Sequence, residues 1–484
     1  MNERGAVALV FGSSAAVLVV ELVALRLLAP YLGLTLETST LVIGLALSAI
    51  ALGSWAGGRA ADRVPPRRTL GPLLGISGVV VALTPLLVRG GAETGAGTLV
   101  VPAAIVTIVV PGALLSAITP MVTKLQLTSL EETGTVVGRL SGIATAGSIA
   151  GTVVTGFFLI SLVPVSAILV ALGVTLVVCG VLVDWRVRGW RTVAAPVALV
   201  LLGGLGAAAA PGGCDVETTY HCAVVQEDPE RDGGLVLVLD GVRHSYVDPD
   251  DPTHLEFAYV RAAAAAIDSV RPAGEPLEAY HLGGGGLTLP RWLEATRPGS
   301  RSLVSEIDQG VVDLDVERLG LETGPDLEVR VEDGRLGIES LDDAAYDVVV
   351  GDAFGGLSVP WHLTTLEAVR EVRRVLVDDG AYVQNLIDRG PLAFARAELA
   401  TLDAVFEHVA LLAPPATLAR EDGGNLVALA SPAPLDLEQV QAGLDERDTG
   451  WRLLTGAALR EWVDGAEVLT DDHAPVDQLL TPYG

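Results

Sequence analysis

The stretch that decides the fold of the first half of the chain is Leu140–Val183. It reads LSGIATAGSIAGTVVTGFFLISLVPVSAILVALGVTLVVCGVLV and contains no charged residue. A helix needs about 20 apolar residues to cross a bilayer, so this run is long enough for two crossings. Pro164 lies near its middle and favours a hairpin between the two helices. The sequence therefore predicts an integral membrane protein.

Further apolar runs are predicted to cross the membrane as single helices. They are Ala6–Pro30, Ser39–Gly58, Leu70–Val88, Thr98–Thr123 and Thr192–Ala210. Together with the hairpin they predict a polytopic α-helical bundle of about seven spans in residues 1–213. We therefore expect a lipid bilayer as a partner and a multi-pass location in the cell membrane.

Lysine and arginine are divided unevenly between the predicted loops. One set of loops holds Arg59, Arg63, Arg67, Arg68, Lys124, Arg139, Arg186, Arg188 and Arg191. The alternate loops hold only Arg89. Because loops rich in lysine and arginine face the cytoplasm, the N-terminus is predicted to be cytoplasmic. Seven spans would then place whatever follows the bundle outside the cytoplasm.

The second half of the chain is strongly acidic. Residues 1–210 carry 12 Lys and Arg against 8 Asp and Glu, whereas residues 211–484 carry 19 against 51. The resulting net charges, +4 and −32, make up the −28 of the whole chain. This break in charge and hydropathy predicts a second domain over residues 214–484. Its acidity argues against nucleic acid as a partner and suits a small cationic ligand, although acidity alone also keeps a domain soluble.

Two cysteines, Cys214 and Cys222, lie at the start of the acidic domain. Their surroundings lack the closely spaced cysteine and histidine pairs of a zinc site. In an oxidising compartment outside the cytoplasm the two can form a disulfide.

Short strands and helices alternate along the acidic domain. The run Leu235–Leu239, closed by the turn Asp240-Gly241, predicts a hairpin within a small β region over residues 214–252. Strands are predicted at Leu277–Leu282, Ser302–Glu306, Glu328–Val331, Tyr346–Val350 and Ala381–Gln384, and helices at His254–Asp268, Gln309–Leu319 and Thr364–Val375. This alternation predicts an α/β fold: a Rossmann-like, methyltransferase-type parallel sheet over residues 253–484.

Glycines and acids follow the predicted strands, where such sheets bind their ligands. The first strand ends in Gly283–Gly286, and glycines there allow a tight turn and a close approach to a ligand. Glu306 ends the second strand, about 20 residues further on, and is placed to accept hydrogen bonds from ribose hydroxyls. Asp333-Gly334 and Asp352 end the third and fourth strands. Each has a plain alternative as a turn or surface residue, but together they favour an adenosyl ligand.

The pattern as a whole resembles the polyamine aminopropyltransferases (spermidine synthases), specifically the membrane-fused type. In the acidic domain the resemblance covers about Tyr220 to Gly390. It rests on Leu237–His244, Leu282–Gly286, Ser305–Asp308, Glu332–Gly334 and Tyr346–Asp352. In the membrane domain it rests on Glu21–Tyr31 and Gly57–Arg63. The joint pattern is specific, whereas no single motif is.

The resemblance implies a role for several residues. Those implied to bind the nucleoside of decarboxylated S-adenosylmethionine are His244, Gly283, Gly284, Gly285, Glu306, Asp333 and Gly334. In this scheme Glu306 holds the ribose, and Asp333 with Gly334 contacts the adenine. Glu256 matches a substrate-binding acid on the helix after the hairpin, and Asp352 matches the catalytic acid. No metal is expected, because the sulfonium is already a good leaving group.

The sequence departs from the family's pattern where the family binds the amine. Gly286 stands where the glycine motif usually ends in an aspartate that holds the aminopropyl amine. Gly355 stands in place of a second acid, three residues beyond Asp352, and Leu255 in place of a histidine before Glu256. The residues implied to bind the nucleoside thus match the family's pattern better than the residues implied to bind the amine.

The resemblance implies a reaction: aminopropyl transfer to a diamine such as putrescine, giving spermidine and methylthioadenosine. Alternatives are methyl transfer from S-adenosylmethionine and a transporter or sensor that binds polyamine without chemistry. The charge bias places the acidic domain outside the cytoplasm, whereas an adenosyl cofactor made in the cytoplasm places it inside. The sequence leaves the acceptor and the oligomeric state open, a homo-oligomer included.

Overall fold

The structure, a computed structural model, describes residues 2–32, 35–93, 99–188 and 214–480. Contacts divide the chain into two compact units, Met1–Cys222 and Ala223–Gly484. The border between residues 213 and 214, inferred from composition, stays a prediction.

The first unit consists of long apolar helices. They are α1 (Glu3–Leu32), α2 (Leu36–Arg63), α3 (Pro66–Glu93), α4 (Val100–Ser116), α5 (Ile118–Gln126), α6 (Thr133–Val154) and α7 (Val165–Arg188). In the described residues, six stretches are long and apolar enough to cross a membrane, and α4 with α5 forms one of them. The predicted hairpin at Pro164 is confirmed, while the predicted span Thr192–Ala210 lies outside the described residues.

The fourth span is broken between Ser116 and Ile118. Pro120, in the first turn of α5, has no N–H to donate to the carbonyl of Ser116, so the hydrogen-bond ladder is interrupted there.

Glycines let the helices of this unit pack closely. A β-carbon on Gly147 of α6 would lie 2.3 Å from the carbonyl oxygen of Phe11 on α1. Likewise, a β-carbon on Gly78 of α3 would lie 2.5 Å from the carbonyl oxygen of Gly173 on α7. The small residue at Gly147 thus lets α6 approach the backbone of α1 directly.

A disulfide between Cys214 and Cys222 closes a short loop at the end of this unit. The side chain of Arg26, near the end of α1, donates a hydrogen bond to the carbonyl of Thr218 at 2.8 Å and another to the carbonyl of Tyr220. The loop is thus bound to the last turns of α1.

A second arginine binds the same loop. Arg89, near the end of α3, forms a 2.5 Å ion pair with Glu217, which lies in the two-residue strand β1 (Val216–Glu217). The same Glu217 carboxylate accepts a hydrogen bond from the hydroxyl of Ser166, at the start of α7, at 3.0 Å. The loop therefore lies where α1 and α3 end and α7 begins. This is the end of the bundle opposite Arg63 and Lys124, which lie at the ends of α2 and α5.

The second unit begins with a small antiparallel sheet. Strand β2 (Cys222–Glu227) pairs with β3 (Leu235–Leu239), which pairs with β4 (Val242–Val247). Asp240 and Gly241 both have positive φ, 51° and 80°, as a two-residue type I′ turn requires. The predicted hairpin is thus confirmed.

An eight-stranded sheet forms the rest of this unit. Its strands are β5 (Glu278–Leu282), β6 (Arg301–Glu306), β7 (Leu327–Val331), β8 (Tyr346–Gly351), β9 (Leu376–Asp388), β10 (His408–Ala413), β11 (Gly424–Ser431) and β12 (Arg452–Thr455). They lie in the order β12-β10-β11-β9-β8-β5-β6-β7. The strands from β9 to β7 are parallel, and β11, β10 and β12 extend the sheet with antiparallel pairs. The predicted methyltransferase-type fold is confirmed.

Helices cover both faces of the sheet. They are α8 (Ala258–Asp268), α9 (Thr288–Thr296), α10 (Gln309–Arg318), α11 (Gly334–Glu339), α12 (Leu366–Val375), α13 (Ala393–Asp403), α14 (Pro415–Leu418), α15 (Leu437–Glu446), α16 (Gly456–Val463) and α17 (Val476–Leu479). Successive strand residues alternate between two cores: Tyr280 and Val349 belong to one, Ala279 and Val348 to the other. Burial on both faces explains the continuous apolar run Val348–Val350 in β8.

One helix starts later than predicted. The sequence predicted a helix from His254, but α8 begins at Ala258, and Phe257 before it is extended. The ring of Tyr246 packs edge-on against His254, with centroids 5.6 Å apart, and against Phe257 at 6.5 Å. The contact with Tyr246 holds Phe257 in its extended conformation ahead of α8. Glu256 therefore precedes the helix instead of lying on it, which corrects the predicted position of this acid.

Candidate active site

The register of the parallel strands brings their carboxyl ends to one edge of the sheet. Leu282 pairs with Ser305 of β6 and with Gly351 of β8. Gly351 in turn pairs with Gln384 of β9. The residues that follow these positions, Gly283 and Asp352 among them, therefore lie side by side, as ligand-binding residues do in this class of sheet.

Gly283 makes the tightest backbone contact at this edge. Its φ is +90°, and a β-carbon on it would lie 2.6 Å from the carbonyl oxygen of Asp352. Only glycine fits both the conformation and the space. The glycine at this position thus allows the loop after β5 to pass directly over the end of β8.

Glu306 holds the glycine loop. Its Oε2 accepts a hydrogen bond from the N–H of Gly284 at 2.8 Å and a longer one from Gly285 at 3.4 Å. Its Oε1 accepts a hydrogen bond from the N–H of Asp308 at 2.9 Å. From the described residues Oε1 accepts only this one hydrogen bond and has a further lone pair, so the same group can also accept a hydroxyl.

The fourth glycine of the loop is enclosed by the small sheet. The N–H of Gly286 donates to the hydroxyl of Ser245 at 2.9 Å. A β-carbon on Gly286 would lie 2.9 Å from both the Ser245 β-carbon and a Val247 methyl. An aspartate would not fit here without displacing β4. The glycine that replaces the family's aspartate at this position is therefore matched by a lack of space for a side chain.

Asp333 begins the helix that follows β7. Its Oδ1 accepts hydrogen bonds from the N–H groups of Arg335 and Leu336, at 2.9 and 3.2 Å, and so caps α11. Its Oδ2 lies 3.1 Å from Nε2 of His362. At Gly334 a β-carbon would lie 3.0 Å from a methyl of Leu282, so this position also has little room.

Asp352 is held by two side chains from different elements. The amide of Asn385, on β9, donates to its Oδ1 at 2.8 Å. The hydroxyl of Tyr259, on α8, lies 3.4 Å from its Oδ2 and 3.3 Å from the carbonyl oxygen of His244. This is where the structure places His244: its backbone contacts Tyr259, which contacts Asp352.

Burial raises the pKa of the Asp352 carboxyl to about 6, while the hydrogen bonds from Asn385 and Tyr259 act in the opposite direction. Burial also raises the pKa of the Tyr259 hydroxyl, so that group stays neutral. At neutral pH Asp352 is thus largely ionised, yet close enough to its pKa to exchange a proton. A carboxylate in this state can hold an ammonium group and accept its proton.

Glu256 lies apart from this cluster. It is exposed, and its carboxylate lies 3.3 Å from Nε2 of His254, two residues earlier. No contact of Glu256 with Asp352 is present among the described residues.

Sequence reasoning missed several residues of the site: Ser245, Tyr259, His362, Asn385 and Asn425. Of these, Asn385 had a detectable signal, because it directly follows the predicted strand end at Gln384. The others lie on other elements and reach the site only through the tertiary fold.

The chain is similar to named proteins over about half of its length. It is 28% identical over 248 residues to the polyamine aminopropyltransferase of Vibrio vulnificus (strain CMCP6), a match that covers 48% of this chain and 79% of the relative. It is 27% identical over 282 residues to the "Probable polyamine aminopropyl transferase" of Bifidobacterium longum (strain NCC 2705). That match covers 54% of this chain and 61% of the relative.

A solved structure has the same fold. The crystal structure of a probable spermidine synthase from Corynebacterium glutamicum ATCC 13032 superposes with a TM-score of 0.50 at 29% sequence identity. The superposition covers 53% of this chain and 95% of that one. No family model matches the chain. With the glycine loop and strand-end acids of the site, these relatives bear out the resemblance to the polyamine aminopropyltransferases (spermidine synthases) and support a transferase.

Proposed function

We propose that the second unit transfers an aminopropyl group from decarboxylated S-adenosylmethionine to a small amine such as putrescine. The observation that carries the proposal is the Asp352 carboxylate, held by Asn385 and Tyr259 directly beside the glycine loop. In this proposal Glu306, the glycines 283–285, His244 and Asp333 with Gly334 bind the nucleoside. The acceptor amine meets Asp352.

The chemistry requires a free amine. An aliphatic amine has a pKa of roughly 10, like that of lysine, and therefore arrives protonated. Asp352 attracts the ammonium, orients it and accepts one of its protons, which frees the nitrogen lone pair to attack the carbon next to the sulfonium. The new N–C bond forms while the C–S bond breaks, and its electron pair neutralises the sulfur. The products are spermidine, methylthioadenosine and one proton.

The test uses the full-length protein in lipid nanodiscs. We expect decarboxylated S-adenosylmethionine and putrescine to give equal amounts of spermidine and methylthioadenosine, measured by mass spectrometry. The Asp352→Asn protein is the matched control, and it is expected to bind methylthioadenosine but to form little product. Absence of aminopropyl product from the unmodified protein would overturn the proposal.

A second candidate is methyl transfer on the same fold. It is favoured by the closed space around Gly286, because Ser245 and Val247 fill the place of the acid that holds the aminopropyl amine in the family. S-adenosylmethionine with the same panel of amines distinguishes this candidate, since a methylated amine would then appear. Amine binding without either product would indicate a sensor or transporter.

We further propose that the second unit lies outside the cytoplasm. The loop closed by the Cys214–Cys222 disulfide lies at the end of the bundle opposite the arginine-rich loops, bound there by Arg26 and Arg89. Both the positive-inside rule and the presence of a disulfide favour an external position for that end. Strand β2 begins at Cys222 and leads directly into the second unit. The nucleoside donor would then have to reach the site from outside the cytoplasm.

Reporter fusions test this orientation. A reporter active only in the cytoplasm is fused after Gly484 and, as a control, after Thr128 in the loop between α5 and α6. We expect activity from the control fusion alone. A reporter that is active only outside, such as a secreted phosphatase, should give the reverse pattern. Strong cytoplasmic activity at Gly484 would contradict the external position.

A further inference from the structure

A chain of two amides leads from the interior of the sheet to Asp352. The side chain of Asn425, on β11, donates a hydrogen bond to Oδ1 of Asn385 at 3.1 Å. Asn385, on β9, donates to Oδ1 of Asp352 at 2.8 Å. In the antiparallel pairing of these strands Asn385 lies opposite Val427, so Asn425 is its diagonal neighbour on the same face.

The Asp352 carboxylate fixes which group donates in each hydrogen bond of this series. A carboxylate only accepts hydrogen bonds, so Asn385 must turn its amino group toward Asp352. Its oxygen then faces Asn425, which must donate in turn. If Asn385 were flipped, its oxygen would face the carboxylate, and both contacts would become repulsive. Asn425 therefore stabilises the one orientation of Asn385 that the carboxylate requires.

We propose that Asn385, oriented by Asn425, is a positioning residue that holds the Asp352 carboxylate in a single rotation for the acceptor amine. This inference rests on the proposed aminopropyl transfer and names residues for which the family resemblance assigned no role. The shorter contact, at Oδ1, fixes the rotation. Oδ2, whose contact with Tyr259 is longer at 3.4 Å, is the oxygen left to meet the amine.

Burial makes this arrangement effective. Asn385 is only 6% exposed, so water does not compete for its amide. Among the described residues, the titratable side chain in contact with the carboxylate is Tyr259, which stays neutral. A neutral amide can also stabilise an ionised acid without adding a positive charge. That matters here because the sulfonium donor and the ammonium acceptor are both cations, and a lysine or arginine would repel them.

The experiment compares Asn385→Ala, Asn425→Ala and the double variant in the full-length protein. Asn425 donates its hydrogen bond to Asn385 and not to Asp352. We nevertheless expect kcat to fall about tenfold in Asn425→Ala, because the rate falls steeply when a catalytic group is misplaced. Asn385→Ala should lose more, and it should move the acidic limb of the kcat–pH profile upward by about one unit, the equivalent of one charge-assisted hydrogen bond. The KM for the nucleoside donor should not change.

The double variant separates positioning from stability. If Asn425 acts through Asn385, the double variant has the kcat and pH profile of Asn385→Ala alone. Additive losses with an unmoved acidic limb would overturn the inference. The matched control is Ser431→Ala, which removes another buried hydrogen bond of β11, to the carbonyl of Gly380. It should lower the melting temperature without moving the pH profile.

Binding provides a readout that is independent of turnover. Putrescine is titrated by calorimetry into the protein saturated with methylthioadenosine, between pH 5 and 8. We expect binding to weaken on acidification, and the midpoint to lie at higher pH in Asn385→Ala. If the unmodified protein forms product but the variants bind putrescine with the same pH midpoint as the unmodified protein, the positioning role is refuted and the proposed function is not. An unmodified protein that neither binds nor converts putrescine refutes the proposed function and this inference with it.

Discussion

Gly283 and Asp352 are in such close contact that a β-carbon on Gly283 would lie 2.6 Å from the Asp352 carbonyl oxygen. The contact joins the loop over which we expect the nucleoside to lie to the acid that we expect to meet the amine. Any change that separates the two backbones therefore affects both halves of the proposed reaction.

Gly283→Ala is predicted to disrupt this contact. The substitution adds a methyl group where there is no space and imposes a φ of +90° on a residue with a side chain. Together, strain and overpacking should lower the free energy of unfolding by about 2–4 kcal/mol. Methylthioadenosine binding, measured by calorimetry, should be lost as well. Gly355→Ala is the control, because its nearest neighbour would lie 3.9 Å away, and it should be close to neutral.

Glu306→Ala is predicted to weaken methylthioadenosine binding by about one to two powers of ten. A charge-assisted hydrogen bond contributes about 1.5–3 kcal/mol, and the ribose would lose at least one. The structure adds a second expectation: the N–H of Gly284 loses its acceptor, so the melting temperature should also fall. Glu328→Ala, an exposed acid on the neighbouring strand, should change neither. Unchanged affinity in Glu306→Ala would mean that the carboxylate serves only the loop.

The edge of the sheet was predictable because its signals are local. The strand Leu277–Leu282, the glycines that follow it and the acids Glu306 and Asp352 were recognisable from the pattern and spacing of residues along the chain. Parallel strands then align their carboxyl ends without further information. The part of the site that lies at these strand ends could therefore be predicted from the sequence.

The rest of the site depends on long-range register. Asn385 and Asn425 meet because β11 pairs antiparallel with β9, and neither the pairing nor its register is encoded in a local pattern. The predicted strand Ala381–Gln384 also stopped short, since β9 continues to Asp388 against β11. At Glu256 the error had the opposite origin: the alanine run favours helix, but packing on Tyr246 outweighs propensity before Ala258.

A pH dependence of stability is expected from Glu398. This residue of α13 is fully buried, and burial raises the pKa of its carboxyl to about 8. It accepts a hydrogen bond from the amide of Gln384 at 2.9 Å. Its other oxygen and the Gln384 oxygen have no hydrogen-bond partner among the described residues, which fits a proton carried by the acid. Glu398 is therefore neutral at pH 7.

The sign of the effect follows from that raised pKa. Between the ordinary pKa of the unfolded chain and about 8, the folded state binds more protons than the unfolded one, so stability falls as pH rises. Glu398→Gln is neutral in both states and loses this dependence. The melting temperature of the variant relative to the unmodified protein should thus rise steadily from pH 5 to pH 8. A difference that stays constant across this range would show that Glu398 is ionised in the fold.

Asp352→Asn separates catalysis from binding, because it removes the charge and keeps the shape. Methylthioadenosine affinity should survive, since the glycine loop and Glu306 are untouched. If the carboxylate orients the amine and takes its proton, kcat should fall by about two to four powers of ten. The unmodified enzyme should gain rate as pH rises through about 6, where Asp352 ionises. The variant should lack that limb and recover partly at high pH, where more of the amine is already neutral.

Stability gives an independent measure of the same variant. Ionising a partly buried carboxyl opposes folding at neutral pH, because its pKa is raised in the fold. Asp352→Asn should therefore match or exceed the melting temperature of the unmodified protein at pH 7, and the advantage should vanish below pH 4. An Asp352 that served only as a turn residue predicts the reverse: a lower melting temperature, weaker nucleoside binding and no rescue at high pH. Measuring kcat, affinity and melting temperature on one preparation across this pH range decides between the two roles.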